Sequence, residues 1–164
     1  MGQQLIVGGG IAAPSTVSLS ALQLMLPFFA ILAVASIGQH LVIQQRGLDL
    51  SVAGIMSFSA VIVSALPGSE AGVAETLAYV ALALAMGLGV GTVNGVLVAL
   101  LRVNSLVTTI GMNTLMLGIT MYVTSGFSQQ APPPLNRFGV GKFLEIPLTL
   151  YVLIVIAAIA IFLL

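Results

Sequence analysis

The sequence predicts an all-α protein, a polytopic transmembrane helical bundle with about five spanning helices. Of the 164 residues, 59% are apolar and only 5% are charged, and the mean hydropathy is +1.22. An ordinary soluble domain has about 25% charged residues, and a domain of about 150 residues still exposes roughly a third of its unfolded surface. We therefore expect a lipid bilayer to surround the chain. The apolar runs are continuous rather than alternating, which favours helices over a barrel.

The charged residues and turn signals divide the chain into five apolar segments within a single transmembrane domain, residues 1–164. The predicted helices are about 17–44, 50–66, 76–101, 103–125 and 147–164. Each is close to the 20 or so residues that a helix needs to cross a bilayer. The Pro-containing stretch 126–146 is expected to be a loop.

Enzyme and cofactor motifs are absent from the sequence. It contains no Cys and a single His, so no nucleophile–base pair and no metal site is expected. The Gly141-Lys142 pair lacks the flanking residues of a phosphate loop, because Asn136 and Phe143 stand where Gly and Ser or Thr are needed. We expect no catalytic residue and no cofactor. A net charge of zero without a basic patch also excludes a nucleic-acid partner.

Polar side chains within the fourth segment are the first candidate feature. Asn104, Thr108 and Asn113 fall close together on a helix, and such groups rarely face lipid. They are interpreted either as interhelical hydrogen-bonding groups or as the lining of a hydrophilic pathway. His40 is interpreted as a packed or interfacial side chain rather than a proton relay.

A second feature is a row of glycines in the third segment. Gly87, Gly91 and Gly95 recur every four residues, which places them on one helix face and lets another backbone approach closely. Packing within the bundle and packing between two subunits both remain open.

The third feature is the stretch that opens the second segment. Asp49 or Ser51 is a natural N-cap, and a carboxylate there also faces the positive end of the helix dipole. We expect Asp49 to lie near the cytoplasmic interface with partners from the backbone, and Arg46 could add a charge contact. The cap interpretation is favoured; in the alternative, the negative charge holds one conformation during transport.

The stretch Gly47-Leu48-Asp49-Leu50-Ser51-Val52 resembles a signature of the permease subunits of bacterial ATP-binding-cassette sugar importers of the ribose, xylose, galactose and autoinducer-2 group. Further matches follow in the same order at Asn94-Gly95, Thr109-Ile110-Gly111 and Thr124-Ser125-Gly126. Ala53 departs from the signature, which has Gly there. The candidate pathway or motif residues are then Gly47, Asp49, Ser51, Asn94, Asn104, Thr108 and Asn113.

The resemblance implies a multi-pass subunit of the bacterial inner membrane that forms the pathway for a sugar. It implies three protein partners: a second permease subunit, a cytoplasmic ATPase, and a periplasmic or lipoprotein sugar-binding protein. Members of this group are about twice as long, and the last segment has no charged anchor, so we expect a partial chain. The alternative is a non-transporting membrane protein or a truncated permease remnant. A secondary transporter would need membrane-embedded carboxylates, which the spans lack apart from Asp49 at an edge.

The arginines predict the orientation. Arg46 and Arg102 follow the first and third segments, whereas acidic residues occupy the turn between the second and third. The positive-inside rule therefore places both arginines in the cytoplasm. The amino terminus, Ser69 and the loop 126–146 are then expected outside.

Overall fold

The computed structural model describes residues 19–68, 70–127, 130–144 and 146–163, and most of them are helical. The helices are α1 (Leu19–Gln44), α2 (Val52–Ser64), α3 (Val73–Gly95), α4 (Ser105–Thr124), α5 (Pro133–Val140) and α6 (Leu148–Leu163). A π-helical segment, Val96–Leu100, continues α3. The strands β1 (Lys142–Phe143) and β2 (Ile146–Pro147) form an antiparallel pair. The expectation of an all-α helical bundle is confirmed.

Three of the described helices are long and apolar enough to cross a membrane: Met25–Gln44, Val73–Leu100 and Ser105–Thr124. The apolar helices α2 and α6 are shorter, with 13 and 16 residues. At a rise of about 1.5 Å per residue they measure roughly 20 and 24 Å, less than the ~30 Å hydrocarbon core. Three of the five expected segments thus reach spanning length as helices, and two form shorter apolar helices.

The helix bounds differ from the approximate expected ones by one to three residues at several places. The second segment was expected to be helical over 50–66, but α2 begins only at Val52, because the side chains before it hold the backbone in a non-helical turn. The stretch 126–146, expected to be a loop, contains α5 and the β1–β2 pair. Pro133 occupies the first position of α5, where its missing N–H costs nothing and its fixed φ favours the helix.

Packing divides the helices into two groups. Helix α2 packs against α3 and α4, whereas α1 packs mainly against α6. Few apolar residues in the described part of the chain are buried, and the large side chains of Leu88 and Phe162 are 74% and 90% exposed. Exposed apolar surface of this extent is what a bilayer covers.

Two arginines in the left-handed backbone region mark one end of the bundle. After α1, Arg46 has φ +60°, and the N–H of Gly47 donates to Val42 O at 3.1 Å in a Schellman-type ending. Arg102, with φ +55°, follows the π segment, in which Leu101 N–H donates to Val96 O, five residues earlier.

Both arginines lie at the same end, because the chain after Arg46 reaches the first turn of α4, where Leu48 N–H donates to Ser105 Oγ. This placement is what the expected orientation requires. Ser69, expected on the opposite side, lies outside the described residues.

Candidate functional site

A non-helical segment, residues 45–51, joins α1 to α2 and is called here the crossover segment. It runs back beside the last turns of α1, since the Gln39 amide donates to Asp49 O at 2.5 Å. Gln39 lies five residues before the end of α1, a distance of about 8 Å along the helix at 1.5 Å per residue. Irregular backbone inside the hydrocarbon region of a membrane needs protein partners, because lipid offers none.

Side chains of α4 supply further partners for the crossover segment. Leu48 N–H donates to Ser105 Oγ at 3.4 Å, and Thr109 Oγ1 donates to Leu48 O at 3.4 Å and to Ser105 O at 2.9 Å. The crossover segment is therefore tied to α1 on one side and to α4 on the other by side-chain–backbone hydrogen bonds.

Asp49, Ser51 and Asn94 form a directional hydrogen-bond chain, called here the Asp–Ser–Asn chain. Ser51 donates to Asp49 Oδ1 twice, from its backbone N–H at 2.8 Å and from its hydroxyl at 2.6 Å. Asn94, on α3, donates from Nδ2 to Ser51 Oγ at 3.0 Å. Ser51 is fully buried and Asn94 is 7% exposed. Three residues that the sequence singled out are thus brought together.

The expected cap at the start of α2 takes a different form. Ser51 is the N-cap residue, but its side chain makes no capping bond. Asp49 accepts the N–H of Ser51 instead of a helical N–H. Both Arg46 and Asp49 are described, and no ion pair joins them, so the charge contact with Arg46 is not formed.

Asn113 provides the missing cap from another helix. Its Oδ1 accepts the N–H of Gly54, in the first turn of α2, at 2.7 Å. This contact requires glycine, because a Cβ on Gly54 would lie 2.7 Å from Asn113 O and 3.0 Å from Met116 Cβ. Asn113 therefore makes a hydrogen bond between α2 and α4, and a pathway role for it stays a prediction.

Asn104 and Thr108 lie apart from the Asp–Ser–Asn chain. Asn104 is the N-cap of α4, and its Oδ1 accepts the N–H groups of Leu106 and Val107 at 2.9 and 3.4 Å. Thr108 is buried, and its hydroxyl donates to Asn104 O at 3.1 Å. Their contacts are local to the start of α4, and a pathway role for them remains a prediction.

The row of glycines on α3 faces two environments. A Cβ on Gly87 would lie 3.9 Å from Ile55 of α2, in ordinary contact, whereas a Cβ on Gly91 or Gly95 would meet no atom within 4 Å. The helix-packing role of the row stays a prediction. His40 is exposed, and its Nε2 lies 3.1 Å from Gln44 Nε2, one turn later.

A cavity of about 520 Å³ opens beside the crossover segment, where α1, α3, the π segment and α4 meet. Its lining mixes apolar groups with polar ones and includes Gly47, Asp49, Gly91, Asn94, Gly95, Ser105 and Thr109. Five of these were already named from the sequence: Gly47, Asp49, Gly91, Asn94 and Gly95.

Three residues of this site were not predicted from the sequence: Gln39, Ser105 and Thr109. Each is a polar residue within or beside an apolar segment, which is the signal that could have found them. Their partners lie 10 to 61 residues away along the chain, so only the folded structure identifies the pairing.

Comparison with known proteins matches most of the sequence to a family. The model of the family described as branched-chain amino acid transport system / permease component matches residues 21–164. The chain belongs to this family. The members of this family are transport permease components, a non-enzymatic class, and the apolar helices of this chain fit a multi-pass protein of the inner membrane.

Several curated relatives are named as sugar permeases. The ribose import permease protein RbsC of Escherichia coli (strain K12) is 33% identical over 127 residues, which are 74% of this chain and 38% of the relative. The fructose import permease protein FruF of Bifidobacterium longum (strain NCC 2705) is 34% identical over 153 residues, 90% of this chain and 40% of the relative. The L-arabinose ABC transporter permease protein AraH of Azospirillum brasilense is 35% identical over 136 residues, which are 75% of this chain and 39% of the relative.

The chain thus spans about two fifths of the length of these relatives. No solved structure matches the chain. The resemblance to permeases of ATP-binding-cassette sugar importers, based on the signature around Asp49, is confirmed by these relatives.

Proposed function

We propose that the chain forms part of the translocation pathway of an ATP-driven sugar importer, and that the crossover segment lines that pathway. The observation that carries the proposal is the start of the second crossing, where the non-helical residues 47–51 and the short helix α2 stand in place of one continuous helix. In membrane transporters, broken helices of this kind are tolerated where they are buried in protein or line a water-filled cavity. Here the break lies against the 520 Å³ cavity.

The partners follow from the type of transporter. Several relatives are named as import permeases, and one is named as an ABC transporter permease. We therefore propose a second permease subunit, a cytoplasmic ATPase that supplies the energy, and an external sugar-binding protein that delivers the substrate. The sequence carries no phosphate-binding motif, so ATP would be hydrolysed by the ATPase subunit.

The test is uptake by the native host with the gene deleted and then restored, in the presence of the other importer genes. Radiolabelled D-ribose, D-fructose and L-arabinose are the sugars to supply. Deletion should abolish the uptake of at least one of them, and restoration should return it. If deletion leaves the uptake of all three sugars unchanged, the result contradicts the proposal. It would then favour a membrane protein that does not transport these sugars.

Two variants connect the uptake to the crossover segment. Ser51→Ala removes the central hydroxyl of the Asp–Ser–Asn chain, and Ser64→Ala is its matched control, because Ser64 Oγ donates only to Ala60 O of its own helix. We expect Ser51→Ala to lower uptake per molecule of protein in the membrane, and Ser64→Ala to leave it unchanged.

A further inference from the structure

The end of α5 and the β1–β2 hairpin carry apolar side chains that the rest of the described chain leaves uncovered. Val140, at the end of α5, is 73% exposed, and Phe143 and Leu144 are 59% and 77% exposed. Leu144 follows β1 with φ +50°, a left-handed conformation that glycine adopts more easily than leucine. Leu144 thus serves neither its own turn nor the packing of the described residues. Its apolar side chain fits a partner outside this chain.

The hairpin is held in a fixed position against the start of α6. Tyr151 OH donates to Phe143 O at 3.0 Å, and the two rings meet edge to face with centroids 6.0 Å apart. Leu148 N–H donates to Gly141 O at 3.0 Å. A Cβ on Gly141 would lie 2.8 Å from Leu148 Cδ1, so this close approach requires glycine. The exposed apolar side chains are therefore presented by an element that hydrogen bonds and close packing fix to α6.

Contacts with α1 place this element beside a membrane-spanning segment. Strand β2 packs against α1, and Phe138 of α5 lines an apolar groove of about 430 Å³ together with Ala30 of α1 and Thr149 of α6. Ala30 belongs to the apolar span Met25–Gln44. The hairpin therefore lies alongside α1 rather than beyond its end. Since α6 continues from the hairpin as an apolar helix with exposed side chains such as Ile154, the apolar surface of the hairpin is continuous with surface that lipid covers.

The charges on this element favour an anionic partner. Arg137 lies in the last turn of α5, Lys142 begins β1, and both are exposed. The Arg137 side chain makes no hydrogen bond or ion pair with the described residues. In the sequence, these two positive charges stand against one negative charge, that of Glu145. Apolar side chains flanked by cations are typical of elements that lie in a membrane interface, with the cations at anionic headgroups.

We infer that α5 and the β1–β2 hairpin form an interfacial anchor whose partner is the surface of an anionic bilayer. The side chains of Val140, Phe143 and Leu144 enter the acyl-chain region of the leaflet at this end of the bundle, the outer leaflet in the expected orientation. Arg137 pairs with the phosphate of an anionic phospholipid. The backbone stays at the headgroup level, because the open edges of a short hairpin need water or headgroups as hydrogen-bond partners. The inference goes beyond the proposed function and does not depend on it, since it concerns how the chain is seated in lipid.

The experiment uses tryptophan as the reporter, because the chain contains none. Leu144→Trp and Val140→Trp place the reporter on the anchor. Ile154→Trp, on the exposed face of α6, is the lipid reference, and Gly68→Trp, in the exposed turn after α2, is the water reference. Each full chain is reconstituted in lipid nanodiscs, and its fluorescence is quenched with brominated acyl chains or with aqueous iodide.

The controls separate the position of the reporter from its chemistry. Since every variant carries the same indole, its own preference for the interface is common to all four positions. Thermal stability is measured for each variant, and the two reporters on the anchor make the result independent of how well either one folds.

We expect Leu144→Trp and Val140→Trp to be quenched by brominated acyl chains and shielded from iodide, as in Ile154→Trp and unlike Gly68→Trp. Iodide quenching at both anchor positions equal to that of Gly68→Trp would overturn the inference, because the hairpin would then face water. Shielding from both quenchers would also overturn it, since protein, such as a second copy of the chain, would then cover these side chains.

The pairing with an anionic headgroup is tested in the Leu144→Trp background. Brominated phosphatidylglycerol should quench this reporter more strongly than brominated phosphatidylcholine. Arg137→Gln should lower the preference about fivefold, the effect of one cationic side chain near an anionic surface. Arg102→Gln, at the opposite end of the bundle, is the matched control and should leave the preference unchanged. Equal quenching by the two lipids, or an equal loss in both variants, would overturn the pairing of Arg137 with the headgroup.

Discussion

Asn113 on α4 accepts the backbone N–H of Gly54 on α2 at 2.7 Å, at a point where the backbones of the two helices are too close for any side chain on Gly54. The start of α2 is thus capped by a neighbouring helix rather than by its own N-cap residue. Because the contact combines a hydrogen bond with close packing, α2 and α4 are expected to move together as one unit. The Asp–Ser–Asn chain then links this unit to α3.

The first prediction concerns the close contact at Gly54. Gly54→Ala places a Cβ 2.7 Å from Asn113 O and 2.9 Å from Asn113 Oδ1, so the helices must separate. Overpacking of this kind costs about 1–3 kcal/mol. The thermal midpoint of the protein in nanodiscs should fall. Gly89→Ala, a substitution in open space, is the control and should leave the midpoint unchanged or raise it. Equal midpoints for both variants would contradict the predicted clash.

The second prediction isolates the hydrogen bond from the packing. Asn113→Ala leaves Gly54 N–H without its acceptor, which should cost about 1–3 kcal/mol of stability. Thr114→Ala, on the next residue, removes a hydroxyl that bonds only to Ile110 O of its own helix. Chemical denaturation in mixed micelles measures both, and a loss in Thr114→Ala as large as that in Asn113→Ala would refute the special role of Asn113.

How far the sequence predicted this site depends on the range of each interaction. The membrane-spanning helices were predicted from hydropathy, and the candidate residues Asp49, Ser51 and Asn94 were predicted from sequence motifs. The start of α2 was placed too early, because hydropathy does not register that Ser51 is held by Asp49 and Asn94 in a turn. The contribution of Thr109, which pairs with Leu48 across 61 residues, is a tertiary contact that no local pattern encodes.

The third prediction separates the two interpretations of Asp49. Asp49→Asn retains an oxygen that can accept both bonds from Ser51, whereas Asp49→Ala loses both. Stability should therefore change by only a few tenths of a kcal/mol in the Asn variant and fall by about 1 kcal/mol in the Ala variant. Membrane abundance and uptake are measured separately. Normal abundance with reduced uptake in Asp49→Asn supports a role of the charge, whereas parallel losses in both quantities leave Asp49 only a structural role as the acceptor for Ser51.

The fourth prediction uses the left-handed backbone of Arg46. At φ +60° a side chain with a Cβ is disfavoured by roughly 1–2 kcal/mol, a cost that glycine avoids. Arg46→Gly should therefore raise the thermal midpoint. Arg46→Lys, which keeps both the Cβ and the charge, is the control and should leave it nearly unchanged. A lower midpoint for Arg46→Gly than for Arg46→Lys would show that the charge at the helix end outweighs the backbone strain.

The fifth prediction is the orientation in the membrane. The chain has no Cys, so single cysteines can be labelled without background. Gln45→Cys lies beside Arg46 at the end expected in the cytoplasm, and Gly68→Cys lies in the exposed turn after α2, at the other end. A membrane-impermeant maleimide applied to intact spheroplasts should label only Gly68→Cys. Labelling of Gln45→Cys alone would reverse the assigned orientation.

The π-helical segment Val96–Leu100 gives α3 a property that a plain helix lacks. Its wider turns hold one residue more than α-helical geometry needs, as the bond from Leu101 N–H to Val96 O across five residues shows. Deleting one residue inside this segment would restore an ordinary helix and keep the flanking residues on their present faces. A deletion elsewhere in α3 would instead rotate everything beyond it by about 100°. This short stretch is therefore where the length of the third span can change during evolution while Asn94 and Arg102 keep their directions.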